Sequence, residues 1–192
     1  IDLPLIKATI LHVPGIIGSV LLGPKKGAYF GALFGLTSLW KNTMAPSLLS
    51  FAFSPLVPLP GTSSGSLWAL VICFLPRILV GVVPWFAAKG LEKLLGQRTA
   101  GRTVSYVLAG ISGSVVNTGL VMGLMGLVLS DAFAAAQGIS QELAGGAILG
   151  IVLANGIPET LAAAVLTAAV CLAVTKASGM VPTSRVKKGD AL

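Results

Sequence analysis

Five long apolar stretches, at about 6–22, 27–43, 67–88, 103–129 and 145–175, divide this chain, and the segments between them are basic, polar or rich in proline and glycine. Each stretch is near the roughly 17–25 residues that cross a bilayer as a helix. Hydrocarbon offers no partner to an open backbone N–H or C=O, so each crossing segment must be helical. The pattern predicts an all-α integral membrane protein with a single transmembrane domain over 1–192.

Charge then orients the spans. Lys25 and Lys26 follow the first stretch; Lys89, Lys93, Arg98 and Arg102 follow the third; Lys176, Arg185, Lys187 and Lys188 follow the last. The alternate junctions hold only Lys7, Lys41, Asp131 and Glu142. Cytoplasmic loops retain Lys and Arg, so the first set lies inside, including the basic tail 176–192. The chain opens with Ile1 at an external loop. A further N-terminal span is therefore expected ahead of it, which makes a six-helix bundle with both ends inside and the first helix absent from this sequence.

Composition agrees, with 55% hydrophobic residues, 10% charged ones and a mean hydropathy of +0.93. The net charge of +7 would suggest nucleic acid in a soluble protein. Beside a membrane, the anionic headgroups of the bilayer are the simpler partner. Cys73 and Cys171 fall inside apolar stretches and read as small buried hydrophobes, not as a disulfide or metal framework. No secretory signal peptide is evident.

The loop at 44–66 carries no charge, and Phe51, Phe53, Pro55 and Pro60 stand in it among serines and glycines. Disordered segments are poor in aromatics, so this loop reads as a lid packed over a cavity. Gly27, Gly31 and Gly35 line one face of the second span, and Gly119 and Gly123 repeat the spacing in the fourth. Such faces let helices approach closely, within this chain or against a partner.

Polar groups inside spans are costly and each asks for a role. His12 reads as a core histidine bonded to a neighbouring helix or as a ligand group. Asn42, Thr43 and Trp68 flank the lid, where a pocket mouth belongs, beside Trp40 and Lys41. Trp68 fits an interfacial aromatic belt equally well. Arg77 lies mid-way in the third span. Asn117 is central in the fourth, either as glue between helices or as a binding group. Asn155 and Glu159 share one face of the fifth, four residues apart with Pro158 between them. Arg77 and Glu159 either neutralise each other or contact a ligand. The chain has no phosphate-binding loop, no His-Glu-x-x-His helix and no Gly-x-Ser-x-Gly elbow. With one histidine and one acid well inside a span, acid–base catalysis is poorly provisioned. A non-catalytic binder without its own energy source is expected.

The run Leu22-Gly23-Pro24-Lys25-Lys26-Gly27-Ala28, then Phe34-Gly35-Leu36-Thr37-Ser38, Ser50-Phe51-Ala52-Phe53-Ser54-Pro55 and Pro76-Arg77-Ile78-Leu79-Val80-Gly81 resembles the substrate-binding S components of energy-coupling factor (ECF) vitamin transporters. The branch it resembles holds the pantothenate and the hydroxymethylpyrimidine or pyridoxine S components. The resemblance implies six helices, with a pocket near the outer face closed by loops that include 44–66 and 130–144. It implies a transmembrane coupling protein and two cytoplasmic ATPases as partners, with ATP and magnesium on those subunits and no cofactor in this chain. Vitamin would be captured from outside, and the subunit would topple on its coupling partner to deliver it. For pantothenate, Arg77 or Lys41 would pair with the carboxylate, while Asn42, Thr43, Asn117 and Asn155 would read the amide and hydroxyls. For a flat ring, Trp40 or Trp68 would stack and Glu159 would contact a ring nitrogen or amine. Pantothenate is the favoured expectation. A self-sufficient secondary transporter and a structural membrane subunit are the rivals from other classes.

Overall fold

The computed structural model describes residues 10–96 and 98–178. Among them the chain is helical, with no strand. A 3₁₀ turn at Ile10–His12 leads into α1 (Val13–Leu22), followed by α2 (Pro24–Met44), α3 (Trp68–Val80), α4 (Val83–Leu95), α5 (Thr99–Val128), α6 (Ser130–Gln137) and α7 (Gln141–Ser178). Among the described residues each apolar stretch is largely helical, the third in two pieces. The helix expected ahead of Ile1 and the tail beyond residue 178 lie outside the described residues.

Proline and glycine set the boundaries. Gly23, at φ +92°, is the single residue between α1 and α2, and Pro24 starts the new helix. Glycine alone enters that backbone region cheaply, and proline is already shaped for a first helical turn. The third stretch, read as one span, is two helices broken at Gly81 and Val82. Pro84 has no N–H for the Val80 carbonyl and stands in the first turn of α4, just after Gly81, where the chain departs from helix. The segment 130–144, expected as loop, holds α6, which closes on Gly138 at φ +65° with its N–H on the Ala134 and Ala135 carbonyls.

The seam between α2 and α3 is built from missing side chains. Gly27 and Gly81 meet backbone to backbone, Gly31 rests on the Arg77 carbonyl, and Gly35 lies on the Phe74 ring. Gly110 of α5 lies against the backbone of Ala163 and Ala164 on α7. A Cβ at Gly27, Gly31, Gly81 or Gly110 would force two backbones apart, and one at Gly35 would displace the Phe74 ring. By contrast, a Cβ at Gly119 or Gly123 meets nothing within 4 Å. Those two face outward, on an open side of α5.

Two apolar clusters lie toward opposite ends of the bundle. Phe51, Ile72, Met125, Leu129, Phe133 and Ala144 gather where the long loop, α6 and the start of α7 meet. Val20, Ala88, Tyr106, Ala168 and Cys171 gather at the opposite end, beside the basic turns. Both cysteines are buried and unbridged. Three segments, Trp68–Leu95, Thr99–Val128 and Gln141–Ala177, are long and apolar enough to cross a bilayer by themselves. This is a multi-pass membrane protein.

Gly27→Ala and Gly81→Ala should each lower the apparent melting temperature in detergent and reduce monodisperse yield, because overpacking a close seam costs about 1–3 kcal/mol or more. Gly119→Ala should leave both unchanged. Thermal unfolding followed by size-exclusion chromatography checks the contrast.

Candidate functional site

The long loop between α2 and α3 is an ordered plug. Phe51 and Ala52 are 2% and 0% exposed, in a 3₁₀ turn at Ser50–Ala52. Its seat is hydrogen-bonded to the end of α2. Ser50 Oγ donates to Asn42 Oδ1 at 2.6 Å, Asn42 Nδ2 donates to the Ser38 carbonyl at 2.8 Å, and the Thr43 and Ser54 hydroxyls meet at 2.7 Å. Further along, Leu59 N–H donates to the Ser64 carbonyl at 3.0 Å, and Gly65 packs on the Pro55 and Val57 backbone. Asn42 and Thr43 therefore each accept one bond from the plug while donating to their own helix, at the Ser38 and Leu39 carbonyls.

Beneath the plug lies Arg77, 8% exposed. Pro76, one residue earlier, cannot donate to the Ile72 carbonyl four residues back. Arg77 Nη1 takes that oxygen instead, at 3.0 Å. The Pro-Arg pair thus anchors its own guanidinium. The Cζ atom sits 4.8 Å from the centre of the Phe53 ring, which descends from the plug, and 5.7 Å from that of Phe34 on α2. Nε is buried without a hydrogen-bond partner. No carboxylate among the described residues reaches Arg77; the ion pair they form is Lys89–Glu92, at 2.8 Å, at the basic end. The Arg77–Glu159 neutralisation that the sequence allowed is not made.

Arg77 also lines a half-open groove of about 630 Å³ between α1 and α2, with Pro14, Phe30, Leu33, Phe34 and Thr37. That volume falls within the roughly 300–1,000 Å³ of small-molecule sites. The groove is apolar apart from Thr37 and the guanidinium, so its electrostatics are those of one cation in a low-dielectric wall. A second lateral groove, about 350 Å³, runs between α5 and α7 past Gly119 and Gly156 and has no charged lining.

A second polar group ties α5 to α7. Glu159 is 7% exposed and accepts from Thr118 Oγ1 at 3.1 Å, while Thr160 Oγ1 donates to Ser114 Oγ at 3.1 Å. Asn117 Oδ1 is buried without a partner. Asn155, one turn before Glu159, is half-buried, and His12 is fully buried at the head of α1.

The remaining expected residues are elsewhere. Lys41 is exposed, Trp40 is 68% exposed and Trp68 50% exposed. These three point away from the groove, as interfacial side chains do. Phe34, Thr37, Ser50 and Ser54 stand in the motifs that carry the family resemblance, but the sequence assigned them no role in the site. Phe34 was findable as a site residue, because it precedes Gly35 on the close-packed side of α2. The seating role of the serines shows only in the folded plug.

Set beside known proteins, the chain matches the family described as "ECF transporter, substrate-specific component" over residues 1–171. It is 39% identical over 173 residues, covering 90% of this chain and 80% of the relative, to the pantothenic acid transporter PanT of Lactococcus lactis subsp. cremoris. It is 30% identical over 166 residues, 85% of this chain and 73% of the relative, to the pantothenate transporter PanT of Leuconostoc mesenteroides subsp. mesenteroides. The chain belongs to the family of substrate-specific components of ECF transporters.

Ser50→Ala should release the plug without unfolding the bundle, since losing a hydrogen-bond partner inside costs about 1–3 kcal/mol. Hydrogen–deuterium exchange should then rise across 45–66 and stay unchanged in α5 and α7.

Proposed function

We propose that this chain is the vitamin-binding subunit of an ECF importer of the cytoplasmic membrane and that its vitamin is pantothenate. The observation that carries this reading is Arg77: a cation held under a seated plug, lining a groove of small-molecule size, with no carboxylate paired to it among the described residues. Leaving a guanidinium so placed is costly unless an anion is meant to join it. Pantothenate brings a carboxylate, and both named relatives are pantothenate transporters. Charge-assisted pairs of guanidinium and carboxylate are the strong hydrogen bonds, and Nε with Nη2 offers a side-on fork for one. Asn117 Oδ1 is the acceptor we assign to the vitamin's amide N–H or a hydroxyl.

The flat-ring alternative loses its support with Trp40 and Trp68, whose outward rings do not offer a stacking surface inside. The family membership favours a subunit that works with others: a transmembrane coupling protein and two ATPases, which bind ATP and magnesium and supply the energy. On this reading the chain performs no chemistry. It captures the vitamin from outside under the plug formed by 44–66 and is reoriented in the bilayer by its partners.

Titration calorimetry on the purified chain in nanodiscs should show tight 1:1 binding of pantothenate and none of pyridoxine. Arg77→Met should weaken pantothenate about 100-fold or more, because it strands a desolvated carboxylate. No heat with pantothenate removes the vitamin assignment. In proteoliposomes, uptake should require the partner ATPases and ATP; accumulation by the chain alone overturns the subunit role.

A further inference from the structure

Arg77 is held by contacts of two kinds, and they act in different directions. Its hydrogen bond from Nη1 to the Ile72 carbonyl lies in the guanidinium plane and comes from α3 itself. That single bond leaves the group free to swing about the contact, which alone does not aim the remaining donors. The second contact is with an aromatic face, and it comes from the plug: Cζ lies 4.8 Å from the Phe53 ring centre. A ring over a guanidinium takes its π surface and leaves the in-plane N–H groups for a carboxylate. The two uses do not compete.

Phe53 has no freedom independent of the plug. On one side Phe51 and Ala52 are buried in the outer core, and on the other Ser54 is buried and bonded to Thr43. Displacing the plug therefore withdraws the ring from the cation. The closer of the two rings on Arg77 is thus in place only when the loop is seated, while Phe34 of α2, at 5.7 Å, stays with the bundle.

We infer that Phe53 is a positioning residue: through its ring the seated plug aims the Nε and Nη2 edge of Arg77, so that closure itself selects a carboxylate over a neutral group of the same shape. The inference rests on the reading that Arg77 receives the ligand's carboxylate. It assigns to Phe53 a role in ligand discrimination that a simple cover over a pocket would not have.

The test compares two probes, pantothenate and its analogue with CH₂OH in place of the carboxylate, on the chain in nanodiscs. The quantity read is the ratio of their dissociation constants, in wild type, Phe53→Leu, Phe53→Tyr and Arg77→Met. Phe53→Leu should cut the preference for the carboxylate about tenfold, the size of a desolvated cation–π contact, by weakening pantothenate alone. Phe53→Tyr should keep the preference. Equal weakening of both probes by Phe53→Leu would show a packing role only and overturn the inference; so would an unchanged ratio. If Phe53→Leu does not fold, Phe53→Met carries the same comparison. A preference abolished by Arg77→Met yet untouched at Phe53 refutes this inference and leaves the Arg77 assignment standing. A wild type that does not prefer the carboxylate refutes both.

Discussion

The approach of α2 to α3 is the constraint on which the rest of the molecule depends. Where Gly27 meets Gly81 and Gly31 rests on the Arg77 carbonyl, two helix backbones come into direct contact. Between membrane helices there is no hydrophobic gain to be had from leaving lipid, so close packing itself must supply the attraction. The same contact fixes the height and rotation of Arg77 relative to Phe34, which lies between Gly31 and Gly35 on α2. Cys73, one turn before Arg77, reinforces the register by donating its thiol to the Gly35 carbonyl at 3.3 Å. The guanidinium is thus placed by backbone geometry, not by a counter-ion.

A buried cation with no carboxylate partner among the described residues has its costs spread over several contacts. One donor satisfies the carbonyl that Pro76 leaves open, and two rings face the charge. The plug above it is anchored by neutral hydrogen bonds among Asn42, Ser50, Thr43 and Ser54, each worth little singly. Such an attachment is strong enough to order a loop and weak enough to let go. The bundle below is different in kind: α5 and α7 are joined along a long seam with the Thr118–Glu159 and Ser114–Thr160 bonds inside it. Mobility and rigidity are divided between the two parts.

Much of this was legible from the residues. The apolar stretches and the uncharged aromatic loop marked where helices and an ordered loop between α2 and α3 are found. Gly27, Gly31 and Gly35 advertised a contact face, and Arg77 stood out as an intramembrane cation. What sequence could not supply was rotation about each helix axis. A helix that is apolar all round has no wet side to mark its outside, so Lys41, Trp40 and Trp68 looked as inward as Asn42. The same lack let Arg77 and Glu159 look like partners, although they stand on different helices with separate neighbours. The break at Gly81 and Val82 was written in Pro84, but a proline at that depth reads equally well as a kink in one continuous span.

The last helix is far longer than a membrane is thick. At 38 residues it measures roughly 57 Å, against a hydrocarbon layer of about 30 Å. Such an excess can be taken up by leaning, by thickening the lipid or by ends that reach past the hydrocarbon. Because α5 is fastened to α7, any lean of the one is shared by the other. A helix of this length thus ties the pose of the whole bundle to the lipid that surrounds it.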